Sequence, residues 1–255
     1  RIRALINFGI VRTGDLGGYI QSEKNLSHDG KAWVADTAKV YGNAQVYGNA
    51  KVSGHAEVYD TAEVWGQVEI RGNSVVSGNA VVFENASVTG EAKVSGNAKV
   101  KGNALVWGKA EVSGNAKVSG NAEVSGNAEV WGQVKIHGNV KVSGSAEIYG
   151  NAEVWGQVKI HGNAKVSGNA EVYGNAEVWG NAEVSEQSDI TVFKNNSSSG
   201  RHFTYTKAKK MSKVGCFYGT GQELIEKAYR DSKTSGDHYK AYVDFVETLE
   251  RLGEE

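Results

Sequence analysis

The stretch VYGNAQVYGNAK, residues 40–51, decides the fold of this 255-residue chain. It belongs to a run from Val34 to Ile190 in which valine or isoleucine stands at every sixth position, 27 times without an inserted residue. The residue two places earlier is alanine at 21 of those 27 sites. Such an alternation puts both residues on one face of a short strand. The Gly-Asn that follows predicts a sharp turn, because both residues tolerate positive φ.

Six residues supply one short strand and one turn, which is too little for a meander of antiparallel hairpins. The repeat therefore predicts a parallel β-helix with the valine and alanine side chains inside. Proline is absent from the chain. Every strand of a parallel β-helix donates its backbone N–H groups to the next coil, and proline has no backbone N–H to donate.

A unit such as VSGHAE, residues 52–57, resembles the hexapeptide repeat of left-handed parallel β-helices at its aliphatic and small positions. The second position departs from that pattern, since it carries Ser, Tyr or Trp. The resemblance implies that three units form one triangular coil of 18 residues, that the coils wind left-handedly, and that residues 34–190 make about nine of them.

Two further segments resemble the opening and closing motifs of phage and prophage hexapeptide-repeat proteins. The opening is GDLGGYI at residues 14–20 with SEKNLS at residues 22–27, and the closing is VGCFYGT at residues 214–220. This resemblance implies a phage or prophage lineage and a place in the cytoplasm of the host bacterium. It implies no activity, because most of those relatives have no assigned function.

The expected organisation is an irregular N-terminal cap at residues 1–33, the repeat at 34–190, and an α+β cap at 191–255. Residues 2–8 are expected to form a strand of the first cap. In the C-terminal cap we expect a hairpin of strands 190–193 and 202–206 with a loop at 194–200, and a third strand at 213–218. A helix is expected from the Thr220/Glu223 capping box to about Asp231. A second helix is expected after Ser235 or Asp237.

Composition excludes several classes of partner. The net charge of −1 predicts no bulk attraction to nucleic acid or to an anionic membrane. No apolar run is long enough to span a bilayer, and no signal peptide is visible. The single cysteine, Cys216, cannot form an intrachain disulfide and is expected to be a buried small hydrophobe. We expect no cofactor.

Residues 18 apart share a column, so the outward side chains can be assigned to three faces. Face A follows Val34 and its equivalents, face B follows Val40, and face C follows Val46. The middle of face C is the one surface that predicts ligand binding, since lysines beside aromatic rings can hold an anion or stack a base. We name it the basic strip, and it comprises Lys99, Lys101, Lys117, Lys135, His137 and Trp155.

Columns of aromatic and acidic residues predict association of the chain with copies of itself. A soluble monomer rarely leaves so much contiguous aromatic surface open. Acidic face B could meet basic face C, which favours a homotrimeric ring, while an isologous dimer stays open as the alternative. The residues expected at this interface are Tyr41, Tyr47, Tyr59, Trp65, Phe83, Glu111, Glu129 and Trp131.

Candidates for catalysis are few. Hexapeptide-repeat acyltransferases use a histidine at a subunit interface and usually carry a loop that interrupts the coil, but no loop interrupts this repeat. A zinc site of the carbonic anhydrase type would need three converging histidines, whereas His137 and His161 are expected on different faces. We therefore expect neither catalytic nor metal-binding residues. We expect a non-enzymatic rigid scaffold or binding protein, and the alternatives left open are a sequestering binder of an anionic small molecule or host factor and an acyltransferase.

Overall fold

The computed structural model describes residues 1–195 and 200–253 and shows a parallel β-solenoid closed by a small α+β cap. Three parallel sheets of ten, nine and nine strands form its sides, which corresponds to about nine coils. Short 3-10 helices, Glu23–Asn25 and Gln187–Asp189, lie near its two ends. The parallel β-helix with two caps is therefore confirmed, whereas the left-handed winding stays a prediction.

Each face of the solenoid is one sheet. Face B contains Tyr19–Ile20, Lys39–Val40, Glu57–Val58, Val75–Val76, Lys93–Val94, Glu111–Val112, Glu129–Val130, Glu147–Ile148, Lys165–Val166 and Glu183–Val184. Face C contains Leu26–Gly30, Gln45–Gly48, Glu63–Val64, Val81–Val82, Lys99–Val100, Lys117–Val118, Lys135–Gly138, Glu153–Gly156 and Glu171–Val172. Face A contains Trp33–Val34, Lys51–Val52, Glu69–Ile70, Ser87–Val88, Leu105–Val106, Glu123–Val124, Lys141–Val142, Lys159–Ile160 and Glu177–Val178.

Hydrogen bonds between neighbouring coils hold these sheets in register. The Lys93 N–H donates to the Ala110 carbonyl at 2.9 Å, and Lys93 lies opposite Glu111 in the adjacent strand. The same offset of 18 residues recurs throughout the repeat, as at Lys135 and Glu153. The inferred coil length is therefore correct, and each outward column consists of residues in direct contact.

The interior is a dry stack of valine, isoleucine and alanine. Val94, Ala98 and Val112 are 0 % exposed, like nearly all their equivalents. Ser74 occupies one alanine position and is also fully buried, but its hydroxyl donates to the Arg71 carbonyl at 3.0 Å. The one hydroxyl at a core position is thus satisfied locally, as a buried polar group must be.

The corners of the coil need a left-handed backbone. Gly96 has φ 65°, and a Cβ there would lie 2.9 Å from the backbone nitrogen of Gly114. Asp36, Asp60 and Glu84 take the same corner position with φ 55°, 61° and 65°. Each carboxylate accepts a hydrogen bond from the glycine N–H of the next coil, at 2.8, 2.9 and 2.8 Å. These bonds offset the strain that a side chain adds in this conformation.

The N-terminal cap differs from its prediction. Residues 2–8 form no strand, and only the isolated bridges Arg3–Leu16 and Phe8–Val11 occur there. The parallel ladder already begins at Tyr19–Ile20. The cap packs closely on the first coil because Gly17 has no side chain, and a Cβ there would lie 2.4 Å from the Val34 carbonyl oxygen.

The C-terminal cap contains one strand more than predicted. Its antiparallel sheet consists, in spatial order, of the strands Ile190–Lys194, His202–Thr206, Met211–Val214 and Phe217–Thr220. Helix α1 at Gly221–Asp231 and helix α2 at Lys233–Leu252 follow the sheet. The single strand expected at 213–218 is wrong, since a turn at Gly215 divides it. The Thr220/Glu223 capping box is confirmed. Helix α2 begins before Ser235 because the Ser232 side chain caps it. Residues 196–199 of the expected loop lie outside the described residues.

This cap closes the last coil through specific contacts. Ile190 and Val192 pack against the solenoid core. The Glu177 N–H donates to the Thr204 hydroxyl at 3.1 Å. The Lys213 ammonium lies 4.5 Å from the Trp179 ring centroid. The cap also has its own buried hydrophobic cluster. Because the cap packs on the last coil, it covers the strand edge that would otherwise be open to end-to-end pairing.

Replacing Val112 with Asp should strongly destabilise the solenoid. The new carboxylate would lie inside the valine stack, where an uncompensated charge costs about 3 kcal/mol or more. Burial raises the pKa of that carboxyl, so the folded state binds the proton more tightly than the unfolded state. The loss should therefore be smaller at about pH 4 than at neutral pH.

Thermal melts followed by circular dichroism measure this loss. The matched control is Gln133→Asp, which adds the same carboxylate at an exposed position and should alter the free energy of unfolding by about 0.5 kcal/mol or less. An unchanged midpoint in Val112→Asp would contradict the inward placement of the valine column.

Candidate functional site

The basic strip lies on face C as one patch. Lys99, Lys117 and Lys135 are successive partners in the parallel ladder, about 4.8 Å apart along the solenoid axis. Lys135 forms an ion pair with Glu153. Neither Lys99 nor Lys117 forms an ion pair with any residue that the structure describes. Two exposed ammonium groups therefore lie side by side without a counter-charge from their own chain.

The remaining residues of the basic strip border these lysines. Lys101 places its ammonium 5.7 Å from the centroid of the Phe83 ring. His137 lies opposite Trp155 in the ladder, and its Nδ1 is 3.2 Å from the Ser119 hydroxyl. The structure thus brings together all six residues of the basic strip, with an aromatic ring at each end. Such a surface can attract an anion and contact an apolar group beside it.

The acidic column of face B mirrors this arrangement. Glu129 lies opposite Glu111 on one side and Glu147 on the other. Lys93 pairs with Glu111 at 2.7 Å, and Lys165 pairs with Glu147 at 3.4 Å. Glu129 has no cationic partner within the described parts of the chain. The acidic run is therefore neutralised at both ends by the chain itself, and only its centre is left for a partner.

Aromatic residues of successive coils stack on one another. Tyr41 and Tyr59 are 5.0 Å apart and nearly parallel. Trp65 lies between Tyr47 and Phe83, at 6.0 and 4.8 Å. These five rings are half-buried, because much of each ring face is covered by the next coil.

Trp131 stacks on Tyr149 at 4.6 Å and remains 41 % exposed, so it is the most open ring of the expected interface. The Tyr41 hydroxyl donates to Glu57 at 3.0 Å. Burial, together with this carboxylate, raises the pKa of Tyr41 to about 12. Tyr41 therefore stays protonated, and its hydroxyl keeps donating to Glu57, well into the alkaline range.

The histidines are dispersed. His55, His137 and His161 each contact a hydroxyl in the preceding coil, from Thr37, Ser119 and Ser143 respectively. His137 follows face C and His161 follows face A, as the spacing predicts. Among the described residues no group of three His, Cys, Asp or Glu side chains is placed to hold a metal ion.

Cys216 is exposed, so the expectation of a buried cysteine is wrong. It lies in the turn between Met211–Val214 and Phe217–Thr220, where the chain reverses at the surface. Sequence spacing could not reveal this position, because the hairpin itself was interpreted as one strand.

A groove that the sequence did not reveal lies between the N-terminal cap and face A. Its volume is about 810 Å³, and its lining includes Phe8, Leu16, Lys31, Trp33 and Lys51. These residues come from the irregular cap and from two different coils. Only Trp33, the one aromatic residue of a column that continues with Lys51 and Glu69, could have indicated it from the sequence.

Comparison with known proteins gives no family assignment: no protein-family model and no curated protein matches the chain. In the part of the chain that the structure covers, no helix has both the length and the apolar character needed to cross a membrane.

Reversing the central charge of either like-charged run should stabilise the folded chain. Lys117→Glu would place a carboxylate between Lys99 and Lys135, and Glu129→Lys would place an ammonium between Glu111 and Glu147. Each change turns two repulsive contacts into attractive ones, which contribute about 0.2 to 1 kcal/mol per pair. The effect should shrink at high salt, because both columns are exposed.

Thermal melts of dilute protein test this expectation. Lys39→Glu is the control, since Lys39 lies between Tyr19 and Glu57 in its column and pairs with Glu57 at 2.9 Å, so its reversal should lower the midpoint. If Lys117→Glu and Glu129→Lys both lowered the midpoint as well, repulsion within the columns would not be the governing effect.

Proposed function

We propose that this chain is a non-enzymatic rigid scaffold that assembles with copies of itself and presents flat faces to a partner. The observation that supports this best is continuity: from Val34 to Ile190 no residue is inserted, and the strands of all three faces pair in register. Side chains on each face therefore stand in fixed rows about 4.8 Å apart. Because these side chains already occupy fixed positions, they lose little conformational entropy when they contact a complementary row, which lowers the entropic cost of association.

Unlike faces of two copies complement each other in charge. Among the described residues, Lys99 and Lys117 on face C form no ion pair and neither does Glu129 on face B, and both runs share the strand spacing. A contact between unlike faces closes into a ring when the rotation permits, so a homotrimer is favoured and an isologous dimer through one aromatic column is the alternative. Exposed ion pairs contribute only about 0 to 1 kcal/mol each. Covering Trp131 and the other stacked rings must then supply most of the affinity.

Sedimentation equilibrium tests the assembly. The wild type should sediment as a trimer at micromolar concentration. Lys117→Glu combined with Lys135→Glu should weaken the association by about tenfold or more, because like charges would then face Glu129 of the next copy. The matched control is Lys141→Glu with Lys159→Glu, which makes the same charge change one strand apart on face A. A monomeric wild type would reject the assembly, and equal weakening by the control would reject the pairing of faces B and C.

A second candidate is a sequestering binder of an anionic small molecule or of a host factor. The observation that favours it is the pair of uncompensated lysines, Lys99 and Lys117, beside His137 and Trp155. In an isologous dimer this surface would remain open. Native mass spectrometry of protein purified without high salt distinguishes the two functions, since a binder would retain an anionic molecule of defined mass.

The remaining alternative is an acyltransferase of the hexapeptide-repeat type. The uninterrupted coil and the dispersed histidines argue against it, because enzymes of that type use a histidine and usually carry a loop that interrupts the coil. Isothermal titration with acetyl-CoA should show no saturable heat, and incubation with common amine or hydroxyl acceptors should consume none. Saturable binding at micromolar affinity would overturn the scaffold in favour of the enzyme.

Lineage and compartment belong to the same proposal. The motifs at residues 14–20 and 214–220 support a phage or prophage origin. The single Cys216 is consistent with the reducing cytoplasm of a host bacterium. A net charge of −1 gives no reason to propose nucleic acid or membrane as the partner.

A further inference from the structure

The groove between the N-terminal cap and face A, which we call the N-terminal groove, has the size of a small-molecule site. Its volume of about 810 Å³ lies within the range usual for ligand pockets. The cap segment Phe8–Val11 and Leu16 form one side, and the first three coils of face A form the other. The groove is thus built from one irregular and one rigid element.

Apolar groups of the groove remain exposed to water. Trp33 lies at its centre, with the Phe8 ring edge-on at a centroid distance of 5.6 Å. Ile10 is 88 % exposed and Leu16 is 54 % exposed. Covering such surface is favourable by about 25 cal/mol for each Å² removed from water. An occupant with an apolar body would therefore be held against Trp33 and the cap.

The charged residues that line the groove are two lysines and three carboxylates. Lys31 and Lys51 both line it, and neither forms an ion pair with any described residue. Lys51 lies directly opposite Trp33 in the ladder, and Lys31 precedes Trp33 by two residues. Lys31, Trp33 and Lys51 therefore occupy neighbouring outward positions of the same face.

The carboxylates that line the groove already have partners. Asp15 accepts from the Arg12 N–H at 2.7 Å, and Asp36 accepts from the Gly54 N–H at 2.8 Å. Glu69 pairs with Arg71 at 3.3 Å. Each of these carboxylates is thus held by a donor of the chain, whereas among the described residues no ion pair holds Lys31 or Lys51.

We propose that the N-terminal groove binds a small organic anion with an apolar body, namely a carboxylate or sulfonate carried on a ring or an alkyl group. The anionic group lies between Lys31 and Lys51, and the apolar body covers Trp33, Phe8 and Leu16. This site is independent of the scaffold function, because the basic strip lies on another face and contributes no residue to it.

Fluorescence titration with anilinonaphthalene sulfonate tests the site, and phenylnaphthylamine serves as the same ring system without the anionic group. The sulfonate should bind the wild type at one saturable site. Lys31→Gln combined with Lys51→Gln should weaken the sulfonate by about tenfold or more while leaving the neutral probe unchanged. Ile10→Asp should weaken both probes, and it changes an exposed residue, so folding is not at risk.

The matched control is Lys99→Gln combined with Lys117→Gln, which removes two unpaired lysines from face C and should leave both probes unchanged. Equal weakening by the control, or sulfonate binding that survives loss of Lys31 and Lys51, would overturn the proposal. Sedimentation velocity of the free variants completes the test. If Ile10→Asp altered the sedimentation coefficient and left probe binding intact, the groove would be an interface between copies, and the proposed site would be wrong.

Discussion

The hydrogen bonds that each coil makes to the next are the constraint on which this molecule depends. A backbone N–H in a packed sheet must find a carbonyl, and in the solenoid that carbonyl belongs to a residue about one coil further along. One inserted residue would shift the register and turn a valine such as Val94 from the core to the surface. A strict period of six residues over 27 units is the sequence consequence of this bonding.

The same register decides the character of the surface, because whatever recurs after 18 residues must stack on its equivalent. Stacking suits amides, so Asn97 accepts from Asn79 at 2.9 Å and donates to Asn115 at 3.0 Å. It also suits flat rings, as in Trp131 and Tyr149. It does not suit like charges, and the chain ends its lysine run with Glu153. The unpaired charges at the centres of the two runs therefore mark the places where a partner would relieve a cost of the architecture.

Both ends of the solenoid are closed by chain segments that do not follow the repeat. These segments contain exposed apolar side chains and a nearly buried lysine. At the N-terminal end, Gly17 lets the cap approach the first coil, while Leu5 and Ile10 remain 77 % and 88 % exposed. At the C-terminal end, Lys213 is nearly buried against Trp179 and Glu177. The repeat presents flat rows of side chains, whereas a groove forms where a cap packs against the repeat. The basic strip is the row, and the N-terminal groove is the cleft, that we propose as binding surfaces.

The amino-acid sequence by itself determined the coil, the inward valine and alanine, the membership of each outward column and the capping box at Thr220. The inward positions and the capping box depend on a fixed period or on residues within one turn of each other, whereas the 18-residue coil and its columns also depended on the resemblance to hexapeptide repeats. The exposure of Cys216, the turn at Gly215 and the start of helix α2 at Lys233 were decided by the tertiary structure. So was the N-terminal groove, where Phe8 and Lys51 meet. Contacts of this kind join segments that share no period, and their geometry depends on how an irregular chain packs against the end of the ladder.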